Sequence, residues 1–310
     1  MKPECIDFIG DIHGHASVLR GLLDDLGYRQ HQGRWDHREA RLVFLGDLID
    51  RGPEQRETVE LVRELFESNL AICIAGNHEF NAVGFVTERT DQPGAFVRSH
   101  TENHLRQHEG FLEAYANDRS GYTEALDWFA QMPIWFETPT VRAVHACWHQ
   151  PSQAVLAPFL DDAHRPLDRR FFTETGIKDS EAWEAREVLL NGMEAKLPDA
   201  VSFQDYYGFT RRRIRVNWWS PGQTTFREAA VIDESHRACI PDLAMEAAPP
   251  DYQDTLCFFG HYWMRGTPRI EHPRAVCLDY SIALEDGALC AYRFRGETDA
   301  VADALSWRAR

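Results

Sequence analysis

The chain has 310 residues and carries 49 acidic against 33 basic side chains, which gives a formal net charge of −16 and a pI of about 5.3. Affinity for nucleic acid comes largely from neutralising phosphates with lysine and arginine, so we expect no stable nucleic-acid partner for such an acidic chain. No apolar stretch approaches the roughly eighteen residues of a membrane helix, so we expect no membrane span either.

Taken in chain order, five short apolar runs indicate buried strands. Each run is rich in β-branched and aromatic residues and is followed at once by Gly or His. The runs cover residues 6–9, 42–45, 70–75, 141–144 and 256–259.

Two helical patterns separate the first three runs. Apolar residues recur at helical spacing from Val18 to Leu26 and stop at Gly27, which is typical of a helix C-terminus. A second helix is predicted after Pro53. Alternating strands and helices over this distance predict crossover units and a parallel sheet, in which the carboxyl ends of the strands share one edge. Ligands bind at that edge in such sheets.

Carboxylate, imidazole and carboxamide side chains follow all five runs. Asp11 and His13 are two residues apart, so both can reach one metal ion, and Asp47 can bridge two ions with its two oxygens. The second ion would be completed by the three remaining ligands, Asn77, His145 and His261. Two ions roughly 3.5–4 Å apart can polarise a phosphoryl group and activate a shared water. The sequence therefore predicts a two-metal hydrolytic site.

Three further residues suit catalysis rather than metal binding. His78 follows Asn77 directly, and a turn that separates their side chains would leave a free imidazole as the general acid. Asp50 could hold that imidazole in the required tautomer. Arg51 offers a planar fork for phosphate oxygens.

These blocks resemble the calcineurin-like metallophosphoesterases. The segments 46–52 and 76–79 look like the branch that holds Ser/Thr protein phosphatases and bacterial diadenosine tetraphosphatases. The resemblance implies an α/β fold, a β-sheet sandwich flanked by helices, here with helical insertions. It also implies two divalent ions, Mn foremost with Fe or Zn as alternatives. The implied ligands are Asp11, His13 and Asp47 for the first ion and Asp47, Asn77, His145 and His261 for the second. His78 would be the acid, paired with Asp50, and Arg51 would bind phosphate.

Two departures from the family pattern stand out. Many metallophosphoesterases end in Gly-His-x-His, whereas this chain has Trp263 where the second His would stand, as the phosphoprotein-phosphatase branch also lacks it. That branch carries a further phosphate-binding arginine, for which Arg213, Arg215 and Arg227 are the candidates here. The basic segment 211–215 is a phosphate-recognition patch or, as we favour, an alternating strand with arginines on its solvent face.

Some histidines leave alternatives open. His149 is a rival to His145 as the ligand, and we favour His145 because it follows its apolar run directly. His100, His104 and His108 recur at helical spacing in a polar segment. We predict a solvated helix face there, with a transition-metal site as the alternative.

The five blocks span Asp11 to His261, so we predict one metallophosphoesterase domain over residues 1–310. Insertions at about 85–132 and 150–250 would surround the cleft, where specificity tends to reside. Seven scattered cysteines without a Cys-x-x-Cys pair indicate buried, reduced thiols, and with no N-terminal signal segment they predict a cytoplasmic protein.

The predicted function is metal-dependent hydrolysis of a phosphoester or phosphoanhydride by a hydroxide that bridges two metal ions. The substrate would be a phosphorylated small molecule or a nucleotide, such as a dinucleoside polyphosphate. A Ser/Thr-type protein phosphatase is the alternative, followed by a metal-binding scaffold without catalysis and by a nuclease. Against the scaffold, every ligand and the acid are present. The physiological substrate, the native metal and the oligomeric state stay open at this level.

Overall fold

A computed structural model of the chain describes residues 5–199, 201–204, 210–220, 222–232, 234–245 and 254–310. The helices are α1 (Ala16–Leu26), α2 (Gln55–Glu67), α3 (Asn77–Val86), α4 (Glu102–Ala114), α5 (Arg119–Phe129), α6 (Gln150–Leu156), α7 (Arg170–Glu174), α8 (Glu181–Asn191), α9 (Phe226–Ala229) and α10 (Glu234–Arg237). The strands are β1 (Cys5–Ile9), β2 (Arg29–His31), β3 (Arg34–Asp36), β4 (Ala40–Phe44), β5 (Ala71–Cys73), β6 (Trp135–Glu137), β7 (Val141–Val144), β8 (Glu194–Lys196), β9 (Phe203–Gln204), β10 (Thr210–Arg211), β11 (Arg213–Arg215), β12 (Leu256–Phe259), β13 (Ala275–Cys277), β14 (Asp279–Tyr280), β15 (Ala288–Phe294) and β16 (Leu305–Ala309).

Two sheets form the centre of the molecule. The first has the strand order β14-β15-β1-β4-β5, with β16 added beside β15. Its strands β1, β4 and β5 are parallel, as predicted from the alternating strands and helices. The second sheet has the order β13-β12-β7-β6, in which β12 runs parallel to β7 and β13.

The two sheets pack face to face, and helices cover the outer face of the first. Phe8 of β1 stacks on Phe258 of β12, with ring centroids 4.2 Å apart. The next residue along β1, Ile9, points to the opposite face and joins a core with Leu19 and Leu22 of α1. Strands buried on both faces explain the nearly continuous apolar runs. The predicted β-sheet sandwich flanked by helices is confirmed.

The region between α1 and β4 holds a feature that the sequence did not predict. Helix α1 ends where expected, at Gly27 with φ 96°, but a β2–β3 hairpin then follows. Its strands have three residues each, and the residues of β2 are all exposed. Short polar strands carry no hydrophobic alternation, so no periodic signal marks them.

The two predicted insertions contain most of the small elements. Helices α4 and α5 lie in the first, and α6 to α10 with strands β8 to β11 lie in the second. In the second, Leu197, Ile214, Ala230 and Ile240 form a small core of their own. Strand β11 buries Ile214 and leaves Arg213 exposed, as the alternating-strand interpretation predicts, but Arg215 is partly buried and lines a pocket, so the prediction of arginines on the solvent face is wrong for Arg215. The limits of the domain and of its insertions stay a prediction.

Six of the seven cysteines are buried as free thiols, and Cys239 is exposed. Over the stretches of chain that the structure describes, no helix has both the length and the apolar character needed to cross a bilayer. The cytoplasmic location inferred from cysteine usage stays a prediction.

Candidate metal centre and active site

The predicted ligands follow strands of both sheets. Asp11 and His13 lie after β1, and Asp47 lies after β4, all in the first sheet. His145 and His261 follow β7 and β12 of the second sheet. All five side chains are buried. Stacking of the sheets therefore brings together residues that the sequence analysis had assigned to the edge of one sheet.

The backbone of these loops is strained. Left-handed φ values, between 44° and 72°, occur at His13, Asp47, Asp50, Arg51, His261 and Trp263. Residues with side chains rarely adopt this conformation, and where they do, the surrounding structure must hold them there. Such strain concentrates at functional sites, so these loops are candidates for a functional role.

Asp47 lies between two groups of imidazoles. Its Oδ2 is 3.6 Å from His13 Nε2 and 3.8 Å from His78 Nε2, while its Oδ1 is 3.4 Å from His145 Nε2. Possible ligand atoms of His13, Asp47 and His78 lie within 4.8 Å of one another, and so do those of Asp47, His145 and His261. Each oxygen of one carboxylate thus faces a separate group, which is the arrangement that a bridging ligand needs.

Backbone carbonyls orient two of these imidazoles. His13 Nδ1 lies 2.9 Å from the carbonyl oxygen of Ile49, and His145 Nδ1 lies 2.7 Å from that of Leu45. Each Nδ1–H donates to its carbonyl, so each Nε2 points into the site, where it could bind a metal. His13 Nε2 has no hydrogen-bond partner in the described part of the chain. This orphaned, buried acceptor fits a metal ligand.

Asn77 brings a further oxygen to the second group. Its Oδ1 is 3.0 Å from His145 Nε2 and 3.0 Å from His261 Nδ1. Because the pKa of His145 is raised to about 10, its Nε2–H donates to Asn77 Oδ1, and a bound cation would take the place of that proton. The rival ligand His149 instead caps helix α6, where it accepts the N–H of Ser152.

Electrostatics also favour a cation here. Burial alone would raise the pKa of the Asp47 carboxyl, yet His145 and His78 hold that pKa well below its usual range. Burial would lower the pKa of His145, but Asp47 and Asp11 raise it to about 10. Burial and repulsion from Asp279 raise the pKa of Asp11 well above its usual range. A buried carboxylate is stable in its ionised form only beside positive charge, so a divalent ion would be favoured at this position.

Asp11 differs from the other predicted ligands in its position. It belongs to neither group of converging ligand atoms. Its Oδ2 accepts the backbone N–H of His261 at 3.1 Å. A Cβ on Gly260 would lie 2.0 Å from Asp11 Oδ1, so only glycine allows this approach. In the structure Asp11 thus holds the turn that carries His261.

A hydrogen-bonded chain of three side chains lies beside Asp47. Asp50 Oδ2 is 2.5 Å from His78 Nδ1, and Asp50 Oδ1 is 2.9 Å from His108 Nδ1. Burial would raise the pKa of Asp50, but the hydrogen bonds from His108 and His78 hold it well below its usual range. Asp50 therefore stays ionised and fixes the His78 ring so that Nε2 points toward Asp47.

His108 corrects the prediction of a solvated histidine face. It is only 5% exposed, and its ring packs on Phe111. Only His104 and His108 lie on α4, since His100 precedes the helix and contacts Phe85. Asp50, which lies 58 positions before His108, could be paired with it only through the tertiary fold. A polar residue buried against a distant carboxylate leaves no local signal.

Arg51 is held over the site by an aromatic ring. Its guanidinium carbon lies 3.9 Å from the centroid of Trp263, and its Nη2 is 3.4 Å from His78 Nε2. The Trp263 backbone N–H in turn donates to Asp279 Oδ2 at 2.8 Å. The residue that stands in place of the second His of Gly-His-x-His thus supports the phosphate-binding candidate by a cation–π contact.

Of the three candidates for a second phosphate-binding arginine, Arg215 lines the pocket above Asp47, together with Arg51, His78 and His261. Burial and the nearby Arg215 charge lower the pKa of His261. Arg213 instead donates to Glu194 at 2.9 Å, and Arg227 donates to the carbonyl of Ile240 at 2.9 Å. The side chain of Arg215 has no ion-pair partner within the described ranges.

Glu79, the last residue of the segment 76–79, has a structural role that was not predicted. It is fully buried. Its Oε2 accepts the backbone N–H groups of Asp47 and Gly76, and its Oε1 accepts that of Leu48. One carboxylate thus ties the loop after β4 to the start of α3. A Glu three residues after Gly76, the spacing of a capping box, was the available signal.

Glu79→Gln is expected to lower the free energy of unfolding by about 1–3 kcal/mol, because an amide nitrogen would face a backbone donor at one oxygen position. Urea titration of the chelated protein measures the loss. Glu113→Gln, at an exposed position on α4, is the control and should leave the midpoint unchanged. Equal midpoints for Glu79→Gln and wild type would contradict the assigned bonds.

Comparison with known proteins identifies the family of this chain. The chain matches the calcineurin-like phosphoesterase family over residues 6–262 and belongs to that family. It is 44% identical over 73 residues to the asymmetrical bis(5′-nucleosyl)-tetraphosphatase PrpE of Halalkalibacterium halodurans, a match that covers 23% of this chain and 30% of that protein. The corresponding protein of Oceanobacillus iheyensis is 45% identical over 74 residues, with 24% and 30% covered. The chain therefore spans about a third of the length of the curated relatives that it matches.

Among solved structures, a cold-active protein-tyrosine phosphatase of a psychrophilic Shewanella superposes with a TM-score of 0.51. The superposition covers 94% of this chain and 75% of that one, at 13% identity. At this identity the likeness concerns the fold alone, and it agrees with the sandwich described above.

Proposed function

We propose that this protein hydrolyses a phosphoester or phosphoanhydride bond with the help of two divalent metal ions. The observation that supports this best is the position of Asp47. Its two carboxylate oxygens face separate groups of imidazoles, and the hydrogen-bonded pair of His78 and Asp50 lies beside it. Membership of the calcineurin-like phosphoesterase family agrees with this chemistry.

The residues present fit two metal ions. His13 and Asp47, with Asp11 close to them, would hold the first. Asp47 would share the second with the oxygen and nitrogen atoms of Asn77, His145 and His261. When bound, such ions polarise the phosphoryl group and lower the pKa of a water molecule. Mn is the metal that we favour, with Fe or Zn as alternatives.

The protein's own side chains would do the rest of the work. Arg51, held on Trp263, and Arg215 would bind oxygens of the phosphoryl group and orient it. As the water oxygen bonds to phosphorus, the bond to the leaving oxygen breaks and that oxygen keeps the electron pair. His78 would give it a proton from Nε2, while Asp50 holds Nδ1.

We infer a nucleotide-type substrate, such as a dinucleoside polyphosphate. The names of the curated relatives support this class. So does the lining of the pocket, which includes the aromatic residues Phe85 and Trp263 together with arginines. A phosphoprotein is the alternative substrate.

The test is phosphate release by the chelated and then Mn-reconstituted protein. The panel holds p-nitrophenyl phosphate, bis-p-nitrophenyl phosphate, a dinucleoside tetraphosphate and a phosphopeptide. We expect metal-dependent turnover with the dinucleoside tetraphosphate preferred. Preference for the phosphopeptide would favour a protein phosphatase, preference for the diester would favour a nuclease, and two bound ions without turnover would favour a binding protein.

Neighbouring arginines allow a matched test of phosphate binding. Arg215→Gln should weaken inhibition by inorganic phosphate roughly 10-fold or more, since a charged hydrogen bond contributes about 1.5–3 kcal/mol. Arg213→Gln removes an arginine from the same strand but away from the pocket, and it should leave inhibition unchanged. Inhibition constants measured with p-nitrophenyl phosphate decide between them. Equal effects would remove Arg215 from the phosphate site.

A further inference from the structure

The pocket above Asp47 extends beyond the residues assigned so far. One wall is formed by α3, by the segment that follows it and by α4, and it lies on the same side as His78 and His108. The residues of this wall that face the pocket are Asn81, Phe85, Arg98, His104 and Gln107. Arg98 is the cation that this wall contributes.

Among the described residues, no carboxylate pairs with the guanidinium group of Arg98. Its Nη2 donates to the neutral Oε1 of Gln107 at 2.9 Å. Among the residues with described positions, no carboxylate lies within 4 Å of it, whereas the nearby Glu187 is bonded to Arg186 and Asn191. A half-buried guanidinium that is oriented by a neutral partner keeps unused donors that match a phosphate.

Arg98 and Arg215 lie on different walls of the pocket above Asp47. Arg98 donates to Gln107, which directly precedes His108 on α4, and His108 is hydrogen-bonded to Asp50. Arg98 therefore lies beside the His78–Asp50–His108 chain, whereas Arg215 enters the pocket from β11. Since His78 is the proposed acid, Arg98 is on the side from which the leaving group departs.

The leaving group differs between the two possible substrate classes. A phosphomonoester releases an alcohol or a phenol, which brings no phosphate to the Arg98 side. A phosphoanhydride releases a second phosphate, on which negative charge grows as the bond to the bridging oxygen breaks. A cation on this side stabilises only the second kind of transition state.

We propose that Arg98, oriented by Gln107, binds the leaving phosphate of a phosphoanhydride substrate and so selects polyphosphate esters over phosphomonoesters. The bridging oxygen keeps the electron pair of the broken bond and takes the proton from His78, and Arg98 contacts the non-bridging oxygens of the departing phosphate. The inference rests on the proposed hydrolytic function of the same site.

The experiment compares Arg98→Gln with Arg106→Gln in the Mn-loaded full chain. Arg106 is exposed on α4 and contacts Asn103, so it is a matched control outside the pocket. With diadenosine tetraphosphate, kcat/KM should fall roughly 10–100-fold for Arg98→Gln, the loss of a charge-assisted contact. With p-nitrophenyl phosphate it should stay within about twofold of wild type. Arg106→Gln should match wild type on both substrates.

Calorimetric binding of pyrophosphate and of inorganic phosphate separates the inference from the proposed function. Arg98→Gln should weaken pyrophosphate binding at least roughly 10-fold and leave phosphate binding unchanged. If wild type hydrolyses neither substrate, the proposed function fails, and the two binding constants still decide the role of Arg98. Equal losses on both substrates, or unchanged pyrophosphate binding, would overturn the inference.

Discussion

Replacement of Asp47 by Asn is expected to remove nearly all activity. The carboxylate faces one group of imidazoles with Oδ2 and another with Oδ1, and an amide can offer a lone pair on only one side. Loss of a partner outside the ligand shell typically costs roughly 10–100-fold, so loss of the bridge should cost more than about 100-fold in kcat. Metal analysis after gel filtration should show fewer than two ions per chain.

The matched control for this prediction is Asp36→Asn, which changes the same group at an exposed position on β3. It should retain wild-type activity and metal content. Circular dichroism of Asp47→Asn should match that of wild type, because the Glu79 contacts with the loop persist. Full activity with two bound ions in Asp47→Asn would refute the two-metal centre.

Replacement of His78 by Ala is expected to slow substrates with poor leaving groups by roughly 10²–10⁴-fold in kcat, the usual contribution of a general acid. The leaving oxygen of p-nitrophenyl phosphate needs less protonation, so its hydrolysis should slow far less. The measurement is the ratio of kcat for an alkyl phosphate to kcat for p-nitrophenyl phosphate, in variant and wild type.

Metal content separates two roles for His78, because its Nε2 also lies 3.8 Å from Asp47 Oδ2. An acid can be removed without loss of ions, whereas a ligand cannot. We expect His78→Ala to keep both ions, as should His31→Ala at an exposed position on β2. Loss of an ion together with equal slowing of both substrates would make His78 a ligand instead.

Much of the fold was predictable because its central strands are buried on both faces. The apolar runs that predict β1, β4 and β5 are also the runs that pair in parallel. The stop at Gly27 was equally visible, since a left-handed C-terminus favours glycine. The β2–β3 hairpin was not visible, because its exposed strands pack on too little to impose a pattern.

The candidate site likewise has features that the local sequence predicts and contacts that it does not predict. His13 lies beside Asp47, and Asn77 lies beside His145, which also faces Asp47. Their roles as ligands stay predictions. The ligand role of Asp11 stays a prediction, and in the structure its carboxylate also accepts the N–H of His261, 250 positions away. No local pattern reports such a contact.

Residue types alone were enough to propose the chemistry, because carboxylates, imidazoles and arginines at strand ends restrict the reaction to few classes. Which of several similar residues lie at the site depends on the tertiary structure. It brought Arg215 rather than Arg213 into the pocket, and it paired His108 with Asp50. The reason is physical: residue type and strand position are local properties, whereas burial against a distant partner depends on how the two sheets and their insertions pack.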